Sequence, residues 1–157
     1  MKLFKYKNIT IQFEEKELLN YVESHLLNKN CETGGMICGY YSENLLNATI
    51  TEFCKPPKDS VFGRASFLRG VVGTENYFEN KWKEGQYYLG DWHLHPYSSP
   101  IASCQDLEQL ELNSKDKNLK CPEPIMVIVG GPENKNINVY ILIESEVKLC
   151  DMVETQK

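Results

Sequence analysis

From Pro124 to Gly130 the chain reads Pro-Ile-Met-Val-Ile-Val-Gly, without a polar side chain. A strand with one wet face alternates apolar and polar residues, whereas a run that is apolar throughout marks a strand buried on both faces. The chain must therefore build a sheet with helices to cover it. Lys5 to Phe13 alternates loosely, as a first strand would. Within Glu14 to Leu27, the residues Leu18, Leu19, Val22, His25 and Leu26 recur at helical spacing, which makes His25 a residue of a helix face. Gly35 to Tyr41 and Leu45 to Phe53 read as a hairpin turning at Ser42 to Asn44, Lys55 to Gly63 as a loop, and Gly73 to Gly85 as a helix that Thr74 could cap. Gly130-Gly131-Pro132 turns the chain, and Asn138 to Ile143 and Glu146 to Val153 add strands. No repeat, linker or charge block interrupts the 157 residues, a length that suits one domain. The expectation is one domain over residues 1–157 of α/β (α+β) class, a sheet flanked by helices.

Composition narrows the function. A net charge of -5 argues against nucleic acid as a partner, since a basic stripe is the footprint expected there. No segment approaches the ~20 apolar residues of a membrane span. The start, Met-Lys-Leu-Phe-Lys-Tyr-Lys, scatters lysines where a secretory signal needs an apolar core. A cytoplasmic protein is expected, with its six cysteines as free thiols and not as a disulfide framework.

The chemistry concentrates between Asp91 and Asp106. Gln86 to His95 (Gln-Tyr-Tyr-Leu-Gly-Asp-Trp-His-Leu-His) has the composition of a strand, and Pro96 follows it. On a strand Asp91, His93 and His95 share one face and Leu94 takes the other. Residues two apart stand roughly 6.5–7 Å apart, so two imidazoles there can converge on one ion. Tyr97 to Ala102 is a loop, and Ser103 opens a helix with apolar residues at Leu107, Leu110 and Leu112. Asp106, in its first turn, can face back toward the strand end. Two histidines and a carboxylate, with a fourth position left to water, form a catalytic zinc ligand set. Each part alone has a plainer reading: His-x-His as two half-buried surface histidines, Ser-x-x-Asp as an ordinary N-cap. The two together, at fixed spacing, favour the metal.

His93-x-His95, then the seven residues Pro96 to Ala102, then Ser103-x-x-Asp106, resembles the signature of the JAMM (MPN+) zinc metallopeptidases. That family also carries a glutamate just before a Gly-rich apolar strand, and Glu32-Thr33-Gly34-Gly35-Met36-Ile37-Cys38-Gly39 is similar to it. The resemblance spans roughly Glu32 to Gly131. More narrowly, Glu32 to Gly35, Arg64 to Arg69, Tyr88 to His93 and Met126 to Gly131 look like the small deconjugating peptidases of CBASS antiphage operons. Leu94 departs from the Ser or Thr frequent between the family's histidines, but it faces away from the metal. The resemblance implies a curved, mostly antiparallel sheet with the metal site at a strand end and a helix N-terminus. It implies one Zn2+ per chain on His93, His95 and Asp106, and Glu32 as the acid–base group, a role the sequence alone does not single out among 22 acidic residues.

Zinc lowers the pKa of its water toward ~7, and a carboxylate must then carry the proton to the leaving amine. Ser103 would donate to the developing oxyanion. Asp91, the other acid on the histidine face, is expected to orient an imidazole. The implied substrate is a protein conjugate, in which a ubiquitin-like modifier or a cyclic-nucleotide synthase is released by cleavage after its C-terminal residue. Such a tail must lie extended, and Arg64, Phe67 and Arg69, close together in the loop from Lys55 to Gly70, are expected to hold it. Two alternatives remain: a JAMM peptidase that trims a sulfur-carrier protein to its Gly-Gly end, and a metal-free MPN scaffold, for which the intact polar set has no use. A zinc nucleoside deaminase needs a Pro-Cys-x-x-Cys pair that the chain lacks. A Cys31 or Cys104 nucleophile lacks a well-placed histidine base.

Overall fold

The computed structural model describes residues 1–154; the last three residues of the expected domain lie outside them. In chain order the elements are β1 (Lys2–Tyr6), β2 (Ile9–Phe13), α1 (Lys16–Asn28), β3 (Thr33–Tyr41), β4 (Asn47–Phe53), β5 (Val61–Phe62), β6 (Phe67–Leu68), α2 (Thr74–Lys83), β7 (Tyr87–Leu94), α3 (Cys104–Lys115), β8 (Ile125–Gly130), β9 (Asn136–Ile143), β10 (Glu146–Leu149) and β11 (Asp151–Val153). Nine strands form one sheet in the order β10-β9-β8-β7-β3-β4-β2-β1-β11, and β5 and β6 form a separate hairpin. Only β2–β4 and β7–β8 pair in parallel. β10 and β11 stand at opposite ends of this order, yet Cys150 alone separates them in the chain. The sheet must therefore roll up until its edges nearly meet.

The rolled sheet explains the apolar run. In β8, Ile125, Val127 and Val129 join one buried cluster with Leu18 and Val22 of α1 and with Phe4, Ile37, Trp92 and Leu94. The alternate residues Met126 and Ile128 join a second cluster with Leu110 of α3. Both faces of β8 are covered, as its composition requires.

Several boundaries differ from the expectation. Lys5 to Phe13 is the end of one strand and the whole of the next, because Lys7, at φ 52°, reverses the chain. Glu146 to Val153 is two strands, split where buried Cys150 bonds its N–H to the Val139 carbonyl. The loop from Lys55 to Gly70 contains the β5–β6 hairpin. Thr74 does not cap α2: the N-cap is Gly73, at φ 81°, and the Thr74 hydroxyl donates to the Val71 carbonyl. Leu107 and Leu112 are 36% and 62% exposed, so Leu110 is the one fully buried apolar anchor of α3. One such side chain contributes about 1.5–3 kcal/mol, and polar contacts at its first turn share the work of holding α3 in place. All six cysteines are free thiols, and no helix among the described residues is long and apolar enough to cross a membrane.

Candidate active site

β7 brings His93 to the face of the sheet that α3 covers. Its neighbour across the antiparallel ladder with β3 is Gly34. A Cβ there would stand 2.7 Å from the His93 ring and 2.3 Å from the Trp92 carbonyl, so glycine is what lets the imidazole lie against the strand. One step beyond the ladder, the same register sets Glu32 opposite His95. The His95 N–H donates to the Val129 carbonyl (2.8 Å), which extends the β7–β8 pairing past the end of β7. Pro96 then ends it. The connecting loop is tied at Tyr97, whose N–H donates to Asn134 Oδ1, and at Ala102, whose N–H donates to the Tyr140 hydroxyl.

Ser103 is the N-cap of α3, and its Oγ accepts from the Asp106 N–H while Asp106 Oδ2 accepts from the Ser103 N–H. This reciprocal pair satisfies two donors that a helix start otherwise leaves open. It also fixes the Asp106 carboxylate toward the strand end. His93 Nδ1 lies 2.7 Å from Asp106 Oδ1 and His95 Nε2 lies 3.1 Å from Oδ2. All three side chains are at least nine-tenths buried. The other His95 nitrogen, Nδ1, faces the Ser99 carbonyl at 3.4 Å.

The electrostatics follow from this contact. Burial pushes the Asp106 carboxyl up, but hydrogen bonds from His93 and His95, the His93 charge and the Ser103 N–H outweigh it and hold the group far below the usual carboxylate range. Burial pulls the His95 imidazole down, and Asp106, Glu32 and the Ser99 carbonyl more than restore it, leaving it raised. Glu32 is half-buried, and burial raises its carboxyl; the charges of His95 and His93 oppose the shift, and Asp106 adds to it. Those three charges reach Glu32, so it belongs to the same cluster.

Two imidazole nitrogens and a pre-oriented anionic carboxylate suit zinc as a donor set. Among the described residues no three His, Cys, Asp or Glu side chains are already spaced about a common metal position. The trio is closed on itself, with its atoms nearer than the ~3.3 Å that separates ligands around a tetrahedral zinc at its usual bond lengths.

Other expected site residues lie elsewhere. Asp91 shares the histidine face but orients neither imidazole: its Oδ2 accepts from Arg69 Nε at 2.6 Å and its Oδ1 from the Tyr88 hydroxyl. Arg69, expected to hold a substrate tail, is thereby committed within the protein and only 8% exposed. Phe67 is buried and meets the His93 ring edge-on, with centroids 5.6 Å apart. Of the three loop residues, Arg64 alone is exposed. Tyr88 had no signal in the sequence, because residues 88 and 91 of an unbroken strand face opposite ways. The register shift at Ile37/Cys38 leaves Leu89 as an extra residue and brings Tyr88 round to Asp91. His25, read as a helix-face residue, sits with Nε2 3.0 Å from the Cys31 carbonyl and 3.6 Å from its Sγ, so Cys31 does have a histidine beside it.

No protein-family model matches the chain. The fold is similar to the solution structure of a protein from Desulfitobacterium hafniense, with a TM-score of 0.65 over 90% of each chain at 14% identity. That level of identity bears on fold alone. In sequence the chain is 42% identical, over 100 residues, to a protein of Enterobacter hormaechei subsp. hoffmannii (strain UCI 50) named CD-NTase/cGAS isopeptidase. The match covers 64% of this chain and 56% of that relative, so the chain spans little more than half the length of the curated protein it matches.

Proposed function

We propose that this chain is a zinc-dependent isopeptidase of the JAMM kind. It hydrolyses the amide bond after the C-terminal residue of a ubiquitin-like modifier or of a conjugated cyclic-nucleotide synthase, and so releases it from target proteins in antiphage defence. The observation that carries the reading is the meeting of His93 and His95 on the carboxylate of Asp106, at the end of β7 and the start of α3. The similarity to a CD-NTase/cGAS isopeptidase supports the reaction class and the substrate.

His93, His95 and Asp106 would hold a zinc ion, which would supply Lewis-acid activation of water and of the scissile carbonyl. Glu32 takes the proton that the attacking water gives up and delivers it to the departing amine, so one water adds across one C–N bond. Half-burial raises the Glu32 carboxyl, the direction that favours a proton acceptor. Ser103 Oγ already accepts from Asp106 N–H, and its hydroxyl retains a proton to donate to the carbonyl oxygen as charge gathers there. Capping and catalysis therefore use different capacities of one hydroxyl.

The test is incubation with a purified synthase–protein conjugate, with products read by mass spectrometry. The expected products are a synthase with a free C-terminal carboxylate and a target with its amine restored, and a chelator should stop their formation. Cleavage that survives complete metal removal, or that occurs at an internal bond, would contradict the proposal.

A further inference from the structure

The segment Gly63 to Arg69 touches both strands that carry the reacting groups. At one end, the Glu32 N–H donates to the Gly63 carbonyl at 2.9 Å. In the middle, Phe67 packs edge-on against the His93 ring. At the other end, Arg69 Nε donates to Asp91 Oδ2, and Nη1 donates to the Gly70 carbonyl at 3.1 Å. Asp91 is fully buried, and Tyr88 occupies its second oxygen. Asp91 lies two residues before His93 on the same face of β7, so the ion pair sits immediately behind the candidate ligand. The hairpin's own ladder does not anchor it: β5 and β6 are two residues each and pair only with one another, and on the side away from Asp91 Phe62 stacks on His25 of α1 and lies under Lys29. Two-stranded hairpins are marginal by themselves.

We infer that Arg69 is a positioning residue for the proposed hydrolysis. Its ion pair with Asp91, completed by Tyr88, clamps the β5–β6 hairpin across β3 and β7, and the clamped hairpin sets the Glu32 backbone through Gly63 and the His93 ring through Phe67. Arg69 touches no reacting atom; it acts through these two contacts. The planar guanidinium suits this task because it can bond a carboxylate and a backbone carbonyl at once, which an ammonium does less well. The role in turnover rests on the isopeptidase reading, whereas the clamp rests on geometry alone.

The test uses the double variant Arg69→Met/Asp91→Leu, because removing both partners of a buried pair leaves no unpaired charge and takes the acceptor only from the Tyr88 hydroxyl, and Arg69→Lys as a milder variant in case the double fails to fold. Amide hydrogen exchange at Glu32 is compared with that at Val127, in the core of β8. The clamp predicts that Glu32 loses at least about tenfold in protection while Val127 is unchanged. It also predicts a fall in kcat toward about 10²-fold, the scale of a 1 Å misplacement, with a smaller change in KM, and Arg69→Lys between wild type and the double variant. Unchanged Glu32 exchange in a folded variant would overturn the clamp. An equal loss at Glu32 and Val127 would also overturn it, since the pair would then contribute only to global stability. A wild-type protein that cleaves no conjugate sinks the isopeptidase reading, and the exchange result still decides the clamp.

Discussion

Two segments converge on the candidate site, and they do so by different physics. His93 to Asp106 runs from a strand end through a tied loop to a helix start, and its polar groups project where strand alternation and the helix cap send them. Lys55 to Gly70 has no such scaffold. Its hairpin is held by one buried ion pair, by ring contacts of Phe67 with His93 and of Phe62 with His25, and by a backbone hydrogen bond from Glu32. Regular elements fix a side chain by local geometry, and the loop fixes its side chains by what lies beneath them. Substitutions in the first segment should therefore strike chemistry directly, and those in the second should act through position or substrate contact.

Glu32→Ala sets the upper end of the scale. It should lower turnover by ~10²–10⁴-fold, the usual weight of a general base, with zinc content and melting temperature unchanged. Wild-type turnover would remove Glu32 from the chemistry. Ser103→Ala tests the helix start, where two roles share one group. It should lower kcat by about 10²–10³-fold as the loss of an oxyanion donor, and separately cost ~1 kcal/mol of stability as the loss of a cap. A drop in stability without a drop in turnover per folded molecule would reduce Ser103 to the cap. In the loop, Arg64→Ala should have the smallest effect. An exposed cation contributes at most ~1 kcal/mol to an ion pair, so KM for a full conjugate should rise by no more than about fivefold, with kcat and zinc unchanged. A kcat effect as large as that of Ser103→Ala would erase the contrast between the segments.

What could be read from the chain follows the same division. The apolar run of β8, the helical spacing of α1 and the Ser-x-x-Asp cap of α3 are local patterns, and the structure has them where the spacing sets them. The faces of His93, His95 and Asp106 follow from period and cap, and the three meet. The role of Asp91 was not legible. Its partner Tyr88 reaches it through a register shift between β3 and β7, which depends on pairing between segments distant in sequence. Arg69 and Phe67 read as contacts for a substrate tail because a loop carries no periodicity to show that they turn inward. Gly34 fell within the Gly-rich strand start, but its use as room for the His93 ring depends on a cross-strand neighbour. Leu107 and Leu112 matched a helix pattern whose covered stripe is narrower than the spacing suggested.

The proposed chemistry depends on His93, His95 and Asp106 together holding a zinc ion. Metal analysis of the purified wild-type protein beside folded His95→Ala is its most direct test. One zinc per chain is expected in the wild type, and in the variant a loss of zinc that dialysis against zinc does not restore. Equal zinc in both proteins, or a wild type that takes up no zinc when it is offered, would contradict it.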